Sequence, residues 1–245
     1  METKSVFKFD EYTLIIHSLE CVPMNERLVI NTISPNSYGL SVHDKDTDIA
    51  LKNSDFLILD GVYFGWLPWF KYGQKIKRIT GWDSFQFFST KMQKTKGRVF
   101  FLGSSKETLE KIKECYHKDF PDVTVGVFSP PFKTNFTEED NKIMHQAVNN
   151  FKPDILFVGM TAPKQEKWAC QNKEFLNVHV ISTIGNVFDW YAGNSKRPSV
   201  FWQKIGMEWL IRIFLRPEIF RRNIKNQMIF FWHLFLYLIK IKKTW

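Results

Sequence analysis

The chain has 245 residues, of which 44% are hydrophobic and 16% aromatic, so it can bury a sizeable core and is not intrinsically disordered. Its three cysteines, Cys21, Cys115 and Cys170, are scattered and lack the spacing of a zinc site, which predicts reduced thiols in a cytosolic protein. The amino-terminal segment METKSVFKFDEY lacks the apolar core of a signal peptide.

The net charge of +9 is concentrated at the carboxyl terminus. Residues 196–245 hold 11 of the 34 Lys and Arg residues but only 2 of the 25 Asp and Glu residues, so residues 1–195 are close to neutral. The same segment also carries Trp202, Trp209, Trp232 and Trp245. A basic, aromatic tail on a neutral body indicates contact with a polyanionic surface, either a membrane or a nucleic acid.

Apolar runs and helical segments alternate along the chain. Strands are predicted at 28–33, 56–59, 99–102, 123–127, 155–158 and 178–182. Helices are predicted within 37–52, at 83–93, after 105, from 137 to about 150 and from 163 onward. We therefore expect an α/β fold with a Rossmann-like, largely parallel sheet and helices on both faces. Residues 1–195 would form the catalytic domain and residues 196–245 a helical appendage.

Polar or small residues follow most of the predicted strands. In an open parallel sheet, ligands bind beyond the carboxyl ends of the strands. The residues at these ends are Ser34, Asn36, Asp60, Gly103, the loop 159–166 and the loop 185–189. Their convergence at one edge predicts a single binding site.

The segment DILFVGMTAPKQEKW, residues 154–168, shows this arrangement most clearly. Gly159 ends an apolar strand, Pro163 is suited to the first position of a helix, and Gln165 and Glu166 fall in the first helical turn. The unpaired amide groups at a helix start can bind an anion. From this segment alone, an ordinary turn between strand and helix is the simpler interpretation.

Acidic residues occur in two contrasting settings. Asp60 follows a strand and precedes Gly61, where it could act as a general base or cap the next turn; its position favours neither role. Asp44 and Asp46 lie in a polar helical segment and are interpreted as a solvated surface run rather than a metal site. The motifs GxGxxG, Walker A and GxSxG are missing, which argues against classical dinucleotide-binding enzymes, NTPases and α/β-hydrolases.

Five blocks in the expected order resemble a known enzyme family. They are LDGV, RITGWD, GMTAPKQEKW, IGNVFDWYAGNSKRPS and the segment GMEWLIRIFLRPEIFRR, within residues 28–222. Together they resemble the WecG/TagA/CpsF family of bacterial glycosyltransferases. The resemblance implies inverting transfer of a sugar from a UDP-sugar to a polyprenyl-diphosphate-linked sugar, with no cofactor and no active-site metal. The donor sugar stays open among N-acetylmannosamine, its uronic acid and glucose.

The resemblance also implies roles for particular residues. Asp60 matches the family's catalytic base. Substrate-binding positions are matched by Ser34, Asn36, Arg78, Asp83, Gln165, Glu166, Asn186 and Asp189. Backbone amides near Gly103 and Gly159 could bind the leaving UDP. Four arginines, Arg212, Arg216, Arg221 and Arg222, could bind that diphosphate or the acceptor diphosphate, although for each one a contact with solvent or lipid headgroups is the simpler interpretation.

The carboxyl-terminal segment is expected to dock on a membrane without crossing it. Pro217 should break a helix that begins near Phe201. Met228 to Ile239 form an apolar stretch of 12 residues, about 18 Å as a helix against roughly 30 Å of hydrocarbon. The enzyme would then be peripheral, on the cytoplasmic face of the inner membrane. The alternative is a helix packed into the core or into an oligomer interface, and the sequence leaves a homo-oligomer open.

Two other classes of protein would each explain one feature of the sequence. A nucleic-acid-binding protein would explain the basic tail, but the tail mixes its charges with a dense apolar run rather than forming a polar groove. A Rossmann-type oxidoreductase would fit the fold but lacks the glycine fingerprint.

Overall fold

An eight-stranded, almost entirely parallel sheet forms the centre of the protein. The computed structural model describes residues 6–9, 12–15, 18–60, 79–196 and 217–239. The strands are β1 Val6–Phe9, β2 Tyr12–Ile15, β3 Leu28–Ile33, β4 Phe56–Leu59, β5 Arg98–Gly103, β6 Thr124–Phe128, β7 Ile155–Gly159 and β8 Val180–Thr183. They lie in the order β1-β2-β4-β3-β8-β7-β5-β6, and only the β1–β2 pair is antiparallel.

Helices cover both faces of this sheet, as the sequence predicted. They are α1 Pro35–Ser41, α2 Lys45–Lys52, α3 Gly81–Thr95, α4 Lys106–Asp119, α5 Glu138–Phe151, α6 Lys164–Asn172, α7 Val187–Tyr191 and α8 Pro217–Leu238. Successive strand residues point to opposite faces. In β5, accordingly, Phe101 packs with Phe85 and Tyr116 from α3 and α4, whereas Phe100 packs with Met144 of α5. The predicted α/β fold is confirmed.

Element boundaries differ from the predictions in three places. Residues 37–52 form two helices instead of one, because Asp44 accepts a hydrogen bond from the Thr47 amide and starts a new helix. Pro163 is the residue before α6 rather than its first residue, although Gln165 and Glu166 do lie in the first turn. The hairpin β1–β2 was not predicted at all. Its strands of four residues are too short to show a clear alternation.

Helix α8 packs one face onto the sheet and onto α1. Phe230 and Leu234 are buried in a cluster with Tyr38 and the strand residues Leu57 and Leu59. The Tyr38 hydroxyl lies 2.8 Å from Nδ1 of His233, within hydrogen-bond distance. From the sequence, membrane docking was favoured over core packing for this segment. For the face of α8 that carries Phe230 and Leu234, this preference was wrong.

The opposite face of α8 is apolar and exposed. Its side chains are Met228, Phe231, Trp232, Phe235 and Ile239, with exposed fractions from 36% to 61%. Their spacing of three or four residues places them on one stripe of the helix. None of the helices in the described ranges is both long enough and apolar enough to cross a membrane. The segment 197–216, where Pro217 was expected to end a helix, lies outside the described residues.

Because one face of α8 is buried and the other is exposed, substitutions of adjacent residues should lower the free energy of unfolding by different amounts. Phe230→Ala should lower the free energy of unfolding by about 3–5 kcal/mol, because Phe230 is fully buried and its removal leaves a cavity. Phe231→Ala removes the same side chain from the exposed face and should cost less than about 1 kcal/mol. Urea unfolding of the two variants measures the difference. Equal losses would show that α8 is not packed on the sheet.

Candidate active site

One cleft of about 1420 Å³ runs along the carboxyl edge of the sheet. Its lining includes residues just beyond six successive parallel strands, which are Ser34, Asp60, Ser104, Ser129, Met160 and Ile184. The loops therefore converge as expected for an open parallel sheet.

Asp60 and Ser34 enter this cleft from adjacent strands. The Asp60 amide donates a 2.9 Å hydrogen bond to the carbonyl of Ile33, the residue before Ser34. Ser34 is also the cap of α1, where its hydroxyl accepts from the Ser37 amide at 3.2 Å. Both side chains are partly exposed and line the cleft. A strand-end carboxylate held by backbone pairing can reach a substrate without a rearrangement of the fold.

Gln165 ties the two central loops together. Its Oε1 accepts hydrogen bonds from the amide of Met160, at 3.3 Å, and from the amide of Gly185, at 3.1 Å. These amides belong to the loops that follow β7 and β8. Because Oε1 is fixed as the acceptor, Nε2 of Gln165 is directed to Glu166, where it donates to Oε1 at 2.8 Å.

Glu166 is a buried acid in the lining of the cleft. The residue is only 3% exposed, and Oε2 has no hydrogen-bond partner among the described residues. Burial raises the pKa of Glu166 to about 7, while the hydrogen bond from Gln165 opposes the shift. Burial therefore disfavours the ionised form of Glu166.

Two glycines allow the central strands to end close to their neighbours. Gly159 faces the ring of Phe188, which a Cβ atom would approach to 2.5 Å. Gly185 has φ of +50°, in the left-handed region that favours glycine. A larger residue at either position would displace the loops that hold Gln165 and Glu166.

Asn186 and Asp189 form a hydrogen-bonded pair at the start of α7. In the amide orientation that satisfies both neighbours, Asn186 donates to Oδ2 of Asp189 at 3.2 Å and accepts from the Trp190 indole at 2.7 Å. Both residues line the cleft. The pair therefore borders the cleft at the loop that follows β8.

Other residues expected at the site lie elsewhere. Asn36 is directed away from the cleft and accepts a 3.0 Å hydrogen bond from Asn226 of α8. Asp83 caps α3, where its carboxylate accepts from the Thr80 amide at 2.7 Å, and it does not line the cleft. Gly103 lies beneath the lining, while the next residue, Ser104, reaches it.

The structure gives a side-chain position for only one of the five predicted arginines, Arg221. Arg78, Arg212 and Arg216 lie outside the described residues. Arg221 is exposed on α8, and the side chain of Arg222 is not described. Their proposed contacts with a diphosphate therefore stay predictions.

Four lysines line the cleft and were not predicted; one of them, Lys167, pairs with Asp44. Lys106, Lys133 and Lys164 line it beside the loops that follow β5, β6 and β7. Lys133 pairs with Asp140 at 2.8 Å, and this contact holds the pKa of Asp140 well below its usual value. Lys164 lies 3.6 Å from the centre of the Phe136 ring. The only sequence signal for these lysines was the spacing of Lys133 and Phe136 in the loop after β6. That spacing can be interpreted only once the fold shows that the loop lies at the cleft.

The Asp44–Asp46 segment was only partly interpreted correctly. Asp44 caps α2 and pairs with Lys167 at 2.7 Å, so its carboxylate takes part in an ion pair and is not simply a solvated surface charge. Asp46 is exposed but lines the cleft. Within the described ranges, no group of three or more His, Cys, Asp or Glu side chains could hold a metal ion.

Comparison with known proteins identifies the family. The sequence matches the Glycosyl transferase WecG/TagA/CpsF family over residues 6–244. The chain belongs to this family. It is therefore a glycosyltransferase, and the suspected resemblance is confirmed.

Two bacterial relatives carry the same name. The chain is 26% identical over 228 residues to the N-acetylglucosaminyldiphosphoundecaprenol N-acetyl-beta-D-mannosaminyltransferase of Bacillus spizizenii, covering 91% of this chain and 87% of the relative. It is 24% identical over 194 residues to the enzyme of that name from Bacillus subtilis, covering 79% and 74%. The name of both relatives describes an enzyme that acts on a lipid-linked acceptor.

The buried acid predicts a pH-dependent effect on stability. Glu166 has a raised pKa in the folded state, so its ionisation destabilises the fold as pH rises from about 4.5 to about 7. Glu166→Gln removes this ionisation and should raise the free energy of unfolding at pH 8 relative to wild type, by up to roughly 3 kcal/mol more than at pH 5. Urea unfolding at the two pH values measures the change. A difference that does not depend on pH would show that Glu166 is not a buried acid.

Proposed function

We propose that this glycosyltransferase moves a sugar from a UDP-sugar to a polyprenyl-diphosphate-linked sugar, with inversion at the transferred carbon. The observation that carries the proposal is the position of Asp60, a strand-end carboxylate in the one cleft where six loops of a family-matched fold converge. The names of the two Bacillus relatives favour N-acetylmannosamine as the sugar and N-acetylglucosaminyl-diphosphoundecaprenol as the acceptor. Family membership favours this enzyme over the nucleic-acid-binding protein considered above.

Asp60 would act as the general base. It accepts the proton of the acceptor hydroxyl while that oxygen forms a bond to the anomeric carbon of the donor. The bond from that carbon to the β-phosphate oxygen breaks, and its electron pair leaves with UDP. A single displacement of this kind inverts the configuration. The acceptor hydroxyl must then lie on the Asp60 side of the cleft and UDP on the opposite side.

The leaving diphosphate needs positive partners, and the far side of the cleft provides them. Lys106, Lys133 and Lys164 surround the loops that follow β5, β6 and β7. The helix α6 starts there without a side-chain cap, which leaves amide groups available to an anion. This arrangement supports transfer without a bound metal ion, because charge on the leaving oxygens can be stabilised by fixed donors.

Replacing the proposed base tests its role directly. Asp60→Asn should lower turnover by roughly 10²–10⁴-fold, while the affinity for UDP-sugar changes little, because the amide keeps the shape but cannot accept the proton. Turnover is measured as transfer of radiolabelled sugar to a short-chain polyprenyl-diphosphate sugar. Asp48→Asn is the control, since Asp48 pairs with Lys52 on the surface of α2. Near-normal turnover in a folded Asp60→Asn protein would remove Asp60 from this role.

We also propose that the exposed face of α8 docks on the membrane that holds the acceptor. Trp232 and Phe235 stack on this face, with ring centroids 5.8 Å apart. Arg221 and Lys225 are exposed near the start of the helix, and Lys240, Lys242 and Lys243 follow its end in sequence. Cations near an anionic leaflet add on the order of 1 kcal/mol each. Residues 196–245 would thus be a peripheral docking appendage to the catalytic body 1–195, with one face of α8 completing the body's core.

The exposed stripe can be tested without disturbing the core. The double variant Trp232→Ser, Phe235→Ser should lose most binding to vesicles of phosphatidylglycerol and phosphatidylcholine, because it removes apolar contacts with the bilayer and leaves Phe230 and Leu234 in place. The same pair of changes at Phe132 and Phe175, which are exposed far from α8 in the sequence, is the matched control. Vesicle co-sedimentation measures binding. Unchanged sedimentation of the α8 variant would contradict the docking proposal.

A further inference from the structure

We propose that Asn36 and Asn226 are positioning residues for the transfer reaction. Their hydrogen bond joins α8 to α1 and thereby helps to place the Ser34 hydroxyl, which caps α1, on the acceptor side of the cleft. This inference rests on the proposed function, because it requires an acceptor beside Asp60. It gives Asn36 a role different from the direct substrate contact that the family resemblance implied.

Helices α1 and α8 meet at two neighbouring points. Nδ2 of Asn226 donates to Oδ1 of Asn36 at 3.0 Å. Three residues further along α1, a Cβ atom added to Gly39 would lie only 2.1 Å from the backbone oxygen of Asn226. The two backbones therefore touch at a residue that has no side chain, next to the amide hydrogen bond. Asn226 is only 8% exposed, and a hydrogen bond shielded from water is electrostatically stronger than one in solvent.

Ser37 lies between these two points and connects them to the cleft. Its hydroxyl accepts a hydrogen bond from the Ser34 amide at 2.7 Å, and its amide donates to the Ser34 hydroxyl at 3.2 Å. Both serines line the cleft. A shift or rotation of this helical turn would therefore change the direction of the Ser34 hydroxyl, even though the preceding residue is held in β3.

Helix α1 is short and depends on its neighbours for its position. It has seven residues, and isolated helices shorter than about 12 residues are marginal in water. Apolar contacts such as that between Tyr38 and Phe230 hold it against α8, but they are not directional. A hydrogen bond weakens steeply when it is misaligned, so the Asn36–Asn226 contact adds the rotational alignment. The second directional contact, from Tyr38 to His233, lies two turns further along α8.

A displaced Ser34 should affect the acceptor rather than the donor. Ser34 follows β3, and the Asp60 amide bonds to the carbonyl of the residue before it. In the sheet, β3 lies two strands from β7 and three from β5, which corresponds to roughly 10 and 14 Å. The loops after those strands carry the proposed partners of the UDP diphosphate. A change confined to α1 should therefore leave the donor side in place.

The test compares wild type with Asn226→Ala, Asn226→Asp and the double variant Asn36→Asp, Asn226→Asp. In Asn226→Asp a hydrogen bond is retained, because the Asn36 amide can turn and donate to the new carboxylate. In the double variant two carboxylates face each other and neither can donate. Transfer to a short-chain polyprenyl-diphosphate sugar gives kcat/KM for the acceptor, and calorimetric titration gives the affinity for UDP.

Asn226→Ala should lower kcat/KM for the acceptor by up to roughly tenfold, the usual range for one lost hydrogen bond, and the double variant by at least as much. Asn226→Asp should stay within about twofold of wild type, and all variants should keep the wild-type affinity for UDP. Gly39→Ala provides a second route to the same effect, because its Cβ would push α8 away from α1. Misplacement of a reacting group by about 1 Å can lower the rate by about 100-fold.

The pattern across the variants separates positioning from a general loss of structure. Wild-type acceptor kinetics in folded Asn226→Ala and double-variant proteins would overturn the inference, and so would an equal loss of acceptor kcat/KM and UDP affinity. A loss in Asn226→Asp as large as that in Asn226→Ala would also contradict it, because the hydrogen bond would then not matter. All three results leave the proposed function intact. If wild type transferred no sugar, the proposed function would fail and this inference with it.

Discussion

A single side-chain amide holds the centre of the cleft together. Gln165 accepts from the amides of Met160 and Gly185, which belong to the loops after β7 and β8, and donates to Glu166. The parallel sheet brings these loops to the same edge, where the Gln165 bridge adds to backbone hydrogen bonds from Ile184 and Gly185 to Val158. The carboxyl group of Glu166 is oriented by the same amide, which donates to its Oε1.

The cleft places two acids in different environments. Asp60 is partly exposed and held beside Ser34 by pairing of β3 with β4. Glu166 is buried, and burial raises its pKa to about 7. The proposed base and the buried acid thereby differ in solvation. Four lysines line the same cleft, in which the sequence had suggested arginines as the cations.

Much of the fold could be predicted because buried parallel strands are near-continuous apolar runs, as in Ile155 to Val158. The capping pattern at Thr137 and Asp140 was recognised, yet the same pattern at Thr80 and Asp83 was not; Asp83 was assigned to the site from the family motif alone. Pro35 starts α1, and in the first turn of that helix Asn36 accepts a hydrogen bond from Asn226 of α8, a contact that the sequence did not predict. The four lysines of the cleft could not have been found, since they meet only when separate loops converge. For α8, the periodicity of apolar residues did not separate its buried face from its exposed one.

Product analysis tests the central claim most directly. Purified enzyme would be incubated with a short-chain polyprenyl-diphosphate-linked N-acetylglucosamine and, in separate reactions, with several UDP-sugars, and the lipid products would be analysed by mass spectrometry. The account predicts a lipid heavier by one sugar residue, together with release of UDP, for at least one donor. UDP-N-acetylmannosamine is the donor expected to react. Hydrolysis of UDP-sugars without any gain in lipid mass, or no reaction with any of them, would contradict it.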